Sequence, residues 1–303
     1  MKFTFEELLA LTSKDGCQFR VVKETDAFNF CKSIALGHYE NFPVASLLLP
    51  RQRRKYIYSV YAFARIADDI ADEFDNIDKT LRLNALDRFL NLIREEGAGN
   101  PIIMAVKATM REYNIDASVF GRLISAFKSD INFQQPETLF DIYNYCNSSA
   151  NPVGELILRI FAINDEESIK LSDKICTALQ LANFWQDLSI DISRKRFYIP
   201  VELLKKYEIQ KNSLESYDKS HNFIKLLDYL LLSTEELFKV GTQLVRKLKP
   251  FRLRLEIAAT LEGGLAILNK ISELGTGILS QRPALRKRDY IKIILKALKH
   301  SIL

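Results

Sequence analysis

Apolar residues recur at helical spacing through most of this chain. Residues 78–96 show this most simply, with an apolar stripe on a charged background at Leu81, Leu83, Leu86, Phe89, Leu90 and Ile93. Apolar positions three and four residues apart form one face of an amphipathic helix. Glycine (11 residues) and proline (8 residues) are scarce for a chain of 303, and the prolines fall between the periodic segments. The pattern predicts an all-α protein.

Caps and prolines divide this pattern into separate helices. Asn100-Pro101 has the order of a cap followed by a first-turn proline, Asp116 is a further cap, and Asn151-Pro152 marks a break or kink. We find neither a linker nor a recurring period, so we expect one domain spanning residues 1–303. We expect helices at about residues 25–36, 51–73, 78–96, 101–113, 116–129, 136–148, 153–161, 167–192, 201–206, 216–248 and 253–278, and a final helix that follows Pro283 and runs to the C-terminus.

Two acidic stretches stand out, and we call them the first acidic motif (residues 61–73) and the second acidic motif (residues 180–191). Each places two aspartates four residues apart, Asp68 with Asp72 and Asp187 with Asp191. Residues at this spacing are neighbours on a helix surface, where like charges repel. A divalent cation such as Mg²⁺, which takes few carboxylates and fills its other positions with water and phosphate, would compensate them. A solvated acidic helix face is the alternative interpretation.

The flanks of both motifs favour the cation, because apolar and aromatic residues surround the aspartates. In the first motif Arg65 precedes Asp69 by four residues and is expected to pair with it, which leaves Asp68 and Asp72 on their own row. In the second motif one stripe is expected to hold Asn183, Asp187 and Asp191, with Gln180 on a neighbouring face. If the two helices face each other, the aspartate row of the first motif and the stripe of the second motif would form two metal-binding walls.

A basic run, Arg194-Lys195-Arg196, directly follows the second motif. Basic residues complement the dipole at a helix C-terminus and need no further role there. Beside a metal site they would instead serve as phosphate ligands, with Tyr198 as a hydroxyl donor.

The remaining composition excludes several classes of protein. A net charge of +5 suits an anionic ligand or membrane surface but does not indicate nucleic-acid binding. No Glu-x-x-His pair supports a di-iron bundle, and neither a Gly-x-Ser-x-Gly elbow, a P-loop nor a GxGxxG fingerprint is present. The cysteines, which lack zinc-ligand spacing, are expected to be reduced core residues: Cys17, Cys31, Cys146 and Cys176. The acidic N-terminus is unlike a signal peptide, and no stretch has about 18 consecutive apolar residues, so we expect a cytoplasmic protein.

At these residues the chain resembles the squalene/phytoene synthase family, the trans-isoprenoid synthases that act head to head. The two aspartate-rich signatures of that family are similar to Tyr61-Ala-x-x-Arg65-x-x-Asp68-Asp69-x-x-Asp72 and Gln180-Leu-x-Asn183-x-x-x-Asp187-x-x-x-Asp191, followed by Arg196-Phe-Tyr198-Ile-Pro200. A third signature is matched by Tyr145-Cys146 with Ala150, Val153 and Gly154. The resemblance implies a single-domain isoprenoid-synthase helical bundle with a central active-site cavity.

Within the family the chain is most similar to hydroxysqualene synthases of bacterial hopanoid pathways. This similarity lies in residues 37–46, 183–187 and 255–268. Dehydrosqualene and phytoene synthases usually carry an arginine before the Asp of the second motif, where this chain has Gln186. The missing cation argues against the two-step condensation of those enzymes.

The resemblance implies that presqualene diphosphate is the substrate and that Mg²⁺, with Mn²⁺ as a substitute, is the cofactor. The implied metal ligands are Asp68, Asp69, Asp72, Asn183, Asp187 and Asp191. Substrate or diphosphate contacts would come from His38, Phe42, Arg65, Gln180, Asn183, Lys195, Arg196 and Tyr198. Departure of diphosphate would leave a carbocation, and aromatic faces favour cations. The candidates for lining the pocket of this carbocation are Tyr61, Phe42, Tyr145 and Trp185, with core packing as their alternative role.

Water capture of the carbocation would give hydroxysqualene without reduction, so no NADPH is expected. We assign placement of that water to Glu40, aided by His38 or Tyr39, against the alternative of a capping or surface carboxylate. Presqualene diphosphate synthase and hydroxysqualene reductase are the implied pathway partners. Two alternatives stay open, namely head-to-head condensation of prenyl diphosphates and a non-catalytic helical assembly factor of the same fold.

The C-terminal segment, residues 286–303, is basic and amphipathic. It is expected to pack against the bundle with a solvated basic face. The alternative is peripheral contact with an anionic membrane at the inner face.

Overall fold

The computed structural model describes residues 3–14, 19–37, 48–74, 76–96, 99–215 and 220–302. Regular structure in these ranges is entirely helical, which confirms the all-α prediction. A 3₁₀ helix at Gly275–Leu279 follows α14. The α-helices are α1 (Phe5–Leu11), α2 (Glu24–Gly37), α3 (Arg51–Asp72), α4 (Lys79–Arg94), α5 (Pro101–Tyr113), α6 (Ser118–Ile131), α7 (Leu139–Ser149), α8 (Asn151–Ile160), α9 (Glu166–Gln186), α10 (Leu188–Ser193), α11 (Val201–Lys206), α12 (Lys211–Glu215), α13 (His221–Lys247), α14 (Phe251–Leu274) and α15 (Lys287–Ile302).

Most predicted helices are confirmed, although several of their boundaries differ from the expected ones. The helix expected from residue 136 begins at Leu139, because Thr138 and Asp141 form a capping box there. The helix expected over 167–192 ends at Gln186 and is followed by a separate α10. The segment expected over 216–248 begins as a helix at His221, capped by Ser220. Apolar periodicity places helices well but carries no signal for such local caps.

Contacts divide the chain into two compact units, residues 1–133 with 152–165 and residues 134–151 with 166–303. The expectation of a single domain and of a central cavity stays a prediction. None of the helices in the described ranges combines the length and the apolarity needed to cross a bilayer.

The first unit is built around α3, which packs against α2, α4, α5 and α6. Its buried positions include Phe63, whose ring stacks on Phe89 at 4.6 Å and meets the edge of Phe120 at 5.1 Å. These rings join α3 to α4 and α6. One face of α3 is therefore fixed by the core, and its opposite face is left for polar side chains.

The second unit is built around α9 and α13, with α14 packed on both. Trp185 is buried in this core, and its indole Nε1 donates a hydrogen bond to Thr234 Oγ1 at 3.0 Å. Core packing, the alternative role given to Trp185, agrees with these contacts.

Two of the cysteines behave as the sequence predicts. Cys31 and Cys146 are buried free thiols, Cys176 is a half-buried free thiol, and Cys17 lies outside the described residues. Burial raises the pKa of Cys146 to about 12, so this thiol stays protonated at neutral pH.

Gly264 on α14 gives a direct test of this packing. A Cβ there would lie 2.3 Å from the Phe238 ring, so Gly264→Ala is expected to lower the free energy of unfolding by about 1–3 kcal/mol through overpacking. Gly121 on α6 is the matched control, because the nearest atom to its Cβ position is 4.0 Å away. Gly121→Ala should leave stability unchanged or raise it by up to about 1 kcal/mol, since alanine favours a helix. Urea denaturation of both variants checks this, and equal effects would contradict the packing.

Candidate functional site

The first acidic motif lies on the polar face of α3. Tyr61, Arg65, Asp68 and Asp72 are half-buried, while the residues between them are mostly core positions. Their spacing places them along one side of the helix. The helical periodicity that buries the core positions of α3 therefore also determines the position of this polar row.

Arg65 neutralises the aspartates beside it. Its guanidinium contacts Asp69, which is 5% exposed, and lies 3.4 Å from Asp68 Oδ2 and 3.9 Å from Glu73 Oε1. The predicted pair with Asp69 is confirmed. The expectation that Asp68 stays apart from Arg65 is wrong, because the forked guanidinium reaches both carboxylates at once.

Opposing effects set the pKa of Arg65. Burial lowers the pKa, but the nearby charges of Asp69 and Asp68 more than offset burial, so the pKa is raised above its usual value. Arg65 therefore stays charged throughout the physiological pH range. It is a permanent cation in the first motif.

The second acidic motif spans the junction of α9 and α10. Asp187 lies between the two helices with φ −92° and ψ 8°, so the predicted continuous helix is interrupted there. The Asp187 N–H still donates to the Asn183 carbonyl at 2.8 Å, and the Asp191 N–H donates to the Asp187 carbonyl at 2.9 Å. These bonds keep helical spacing across the junction. Asn183 is exposed, and both aspartates are half-buried.

Arg282, which the sequence analysis missed, forms an ion pair with Asp187. Its Nε contacts Oδ1, and its Nη2 lies 3.5 Å from Oδ2. The pair joins residues 95 positions apart, and a single arginine before a proline carries no signal of such a contact. A predicted metal ligand is thus already engaged by a cation of the protein itself.

Gln186 fixes the segment that carries Arg282. The Gln186 side chain is buried, and its Nε2 donates to the Pro283 carbonyl at 2.7 Å. Its Oε1 is buried without a hydrogen-bond partner. Gln186 therefore positions the chain beside Asp187, and the sequence analysis, which considered only the missing charge, did not foresee this contact.

The basic run is held by the C-terminal cap of α10. The Lys195 N–H donates to the Ile192 carbonyl at 2.9 Å, and the Arg196 N–H donates to the Asp191 carbonyl at 2.8 Å. These two bonds form a Schellman motif, which places its penultimate residue in the left-handed region. That residue is Lys195, with φ 57°, where glycine is usual. Arg194 and Lys195 are exposed, and Arg196 is half-buried.

Three aromatic residues of the second unit lie together near this cap. The rings of Phe184 and Tyr198 stack with centroids 3.9 Å apart, and the Tyr145 ring lies 5.8 Å from Phe184 and 6.3 Å from Tyr198. The structure thus brings together Tyr145 and Tyr198, which are 53 positions apart in the chain (198 minus 145).

The donors of each motif fit Mg²⁺. Across the described ranges, no three His, Cys, Asp or Glu side chains form a group that would hold a metal ion by themselves. Mg²⁺ does not require such a group, because it is commonly bound through one or two carboxylates together with water and substrate phosphates. His38, Glu40 and Phe42 lie outside the described residues, so their predicted roles stay predictions. Gln180 is half-buried on α9, one turn before Asn183.

Comparison with known proteins identifies the family. The profile of the Squalene/phytoene synthase family matches residues 36–289. The chain belongs to the squalene/phytoene synthase family. It is 30% identical to the hydroxysqualene synthase of Sinorhizobium fredii over 276 residues, which cover 89% of each chain.

Solved structures agree with this assignment. The squalene synthase HpnC from Alicyclobacillus acidocaldarius is 34% identical, with a TM-score of 0.78 over 86% of this chain and 98% of that one. A dehydrosqualene synthase is 20% identical, with a TM-score of 0.80 over 91% of this chain and 97% of the other, and supports the fold alone. The predicted isoprenoid-synthase fold and family are thereby confirmed. The protein is a head-to-head isoprenoid synthase of a family that acts on isoprenoid diphosphates.

The backbone of Lys195 lies in the left-handed region, so a substitution at this residue can test the structural and the chemical role of the basic run separately. Lys195→Gly is expected to raise the free energy of unfolding by about 1 kcal/mol, because glycine adopts this conformation without steric cost. Glu208 is the matched control, since it has φ 56° in the equivalent cap of α11. Both glycine variants should be stabilised in urea denaturation. If Lys195 is a phosphate ligand, only Lys195→Gly lowers activity, whereas equal activity of the two variants would remove that role.

Proposed function

We propose that this protein is a hydroxysqualene synthase, which converts presqualene diphosphate and water to hydroxysqualene, diphosphate and a proton. The observation that carries this proposal is the similarity to the Sinorhizobium fredii hydroxysqualene synthase along 89% of both chains. Gln186 supports it, because this buried residue takes the place where condensing relatives usually carry an arginine and binds the Pro283 carbonyl instead.

We assign the metal role to Mg²⁺, with Mn²⁺ as a substitute. Asp68, Asp69 and Asp72 would hold it in the first motif, and Asn183, Asp187 and Asp191 would hold it in the second motif. When bound, it supplies positive charge to the diphosphate oxygens and so makes diphosphate a better leaving group. Each motif offers carboxylate and amide oxygens, which are the donors that hard cations prefer.

Protein cations would neutralise the rest of the leaving group. Arg65, Lys195 and Arg196 are assigned to the diphosphate, with Tyr198 as a hydroxyl donor and Gln180 as an amide donor. Arg65 and Arg282 already lie against aspartates of the two motifs. Their guanidinium groups balance the carboxylates before substrate binds. A bound diphosphate would offer these arginines a second anionic partner.

Loss of diphosphate breaks a carbon–oxygen bond and leaves a cyclopropylcarbinyl cation. Tyr61, Tyr145 and Phe42 are assigned to stabilise this cation, because aromatic faces favour a cation without acting as nucleophiles. After rearrangement, water forms the new carbon–oxygen bond and gives up a proton. Glu40, aided by His38, is assigned to hold that water and accept its proton.

The competing function is formation of presqualene diphosphate or squalene from farnesyl diphosphate. It is favoured by the name of the Alicyclobacillus relative, squalene synthase, at 34% identity. Squalene formation from presqualene diphosphate requires a hydride donor, whereas hydroxysqualene formation does not. The two functions therefore differ in substrate and in the need for NADPH.

The deciding experiment is product analysis with purified protein and Mg²⁺. Presqualene diphosphate should give hydroxysqualene without NADPH, and farnesyl diphosphate alone should give no product. Chelation by EDTA should abolish turnover, and added Mg²⁺ should restore it. Turnover of farnesyl diphosphate alone, or squalene formation that depends on NADPH, would favour the competing function. Absence of Mg²⁺-dependent diphosphate release from every substrate would contradict both.

Glu40→Gln tests the water-placing role. The amide cannot accept the proton, so the rate of hydroxysqualene formation is expected to fall by about 10²-fold or more. Diphosphate release serves as the internal control, because ionisation precedes water capture and should continue with hydrocarbon elimination products. An unchanged yield of hydroxysqualene would remove the role of Glu40.

A further inference from the structure

The C-terminal helix α15 has an inner face fixed to the second unit. Ile293, Ala297 and Ser301 are buried at successive fourth positions, and α15 packs mainly against α14. Two polar contacts reinforce this packing. Lys270 lies 3.1 Å from Asp289, and the buried Glu262 lies 3.5 Å from Lys296 and 3.2 Å from His300. The helix is therefore held in a defined orientation.

A second apolar stripe of α15 has no such cover in the described structure. Ile291 is 64% exposed, Ile294 is 50% exposed and Leu295 is 63% exposed, with the half-buried Leu298 one turn further. Their spacing of three and four residues makes them one continuous face. Isolated exposed apolar residues are ordinary, but a contiguous stripe marks an interaction surface.

A row of basic residues runs beside this stripe. Arg288, Lys292 and Lys299 are exposed, and helical periodicity places them along one side of α15 next to the exposed apolar residues. The acidic residue of the helix, Asp289, already contacts Lys270 and accepts a hydrogen bond from the Arg286 backbone. The outer surface of α15 is therefore both apolar and strongly cationic.

We propose that this surface docks the protein on an anionic lipid bilayer, with the apolar stripe at the acyl boundary and the basic row among the headgroups. Both components of the surface match those of an interfacial helix. A second copy of the chain fits less well, because a twofold pairing through this stripe would bring two basic rows side by side. The surface is independent of which product the enzyme forms.

Flotation with vesicles tests the docking surface on the full chain. Vesicles of phosphatidylcholine with about one third phosphatidylglycerol should bind the protein at low salt, and high salt or pure phosphatidylcholine should weaken binding. Leu295→Ser should lower the partition coefficient by about tenfold. Leu232→Ser on α13 is the matched control, since Leu232 is also 63% exposed, and it should bind like the wild type.

A second variant probes the charge separately. Arg288→Gln, Lys292→Gln and Lys299→Gln together should lower the partition coefficient by about fivefold per residue, because each charge near an anionic surface contributes on that scale. All these side chains are exposed, so circular dichroism should show an unchanged fold. The proposal is overturned if the wild type does not float, if Leu295→Ser and Leu232→Ser bind equally, or if light scattering shows a dimer that Leu295→Ser dissociates.

Discussion

Negative charge at half-buried and buried positions of core-packed helices is the constraint on which the two acidic motifs depend. Taking a carboxylate partly out of water is unfavourable unless a cation or hydrogen-bond donors compensate it. Arg65 compensates Asp68 and Asp69 in the first unit, and Arg282 compensates Asp187 in the second. Each acidic motif is therefore paired with a guanidinium, from Arg65 within the first motif and from the distant Arg282 for the second. The fold therefore stabilises these carboxylates before any ligand is bound.

These ion pairs also bear on how a metal and a diphosphate would enter. A divalent cation bound at the motifs would compete with each arginine for the same carboxylate oxygens, and a diphosphate would provide the arginines with new oxygens. Such an exchange would give each charge a new partner, so binding would leave no charge uncompensated. Lys195 adds a charge at a strained position, in the left-handed region where glycine costs less.

The C-terminal part of the chain serves the second unit in two ways. Its first residues contribute Arg282 and the Pro283 carbonyl to the second acidic motif. Its last helix fixes one face on α14 and leaves an apolar, basic face outward. The two interpretations of this segment drawn from the sequence, packing and membrane contact, are therefore compatible, because they involve different faces of one helix.

The sequence alone determined the helices and the two acidic motifs, because apolar periodicity, caps and aspartate spacing are local properties. Asn100 caps α5 as predicted, and Arg65 pairs with Asp69 within one turn. Only the tertiary structure showed the contacts of Asp187 with Arg282 and of Gln186 with Pro283, which join residues 95 and 97 positions apart. Local pattern cannot select among distant charges of similar kind, since packing of the intervening helices decides which of them meet.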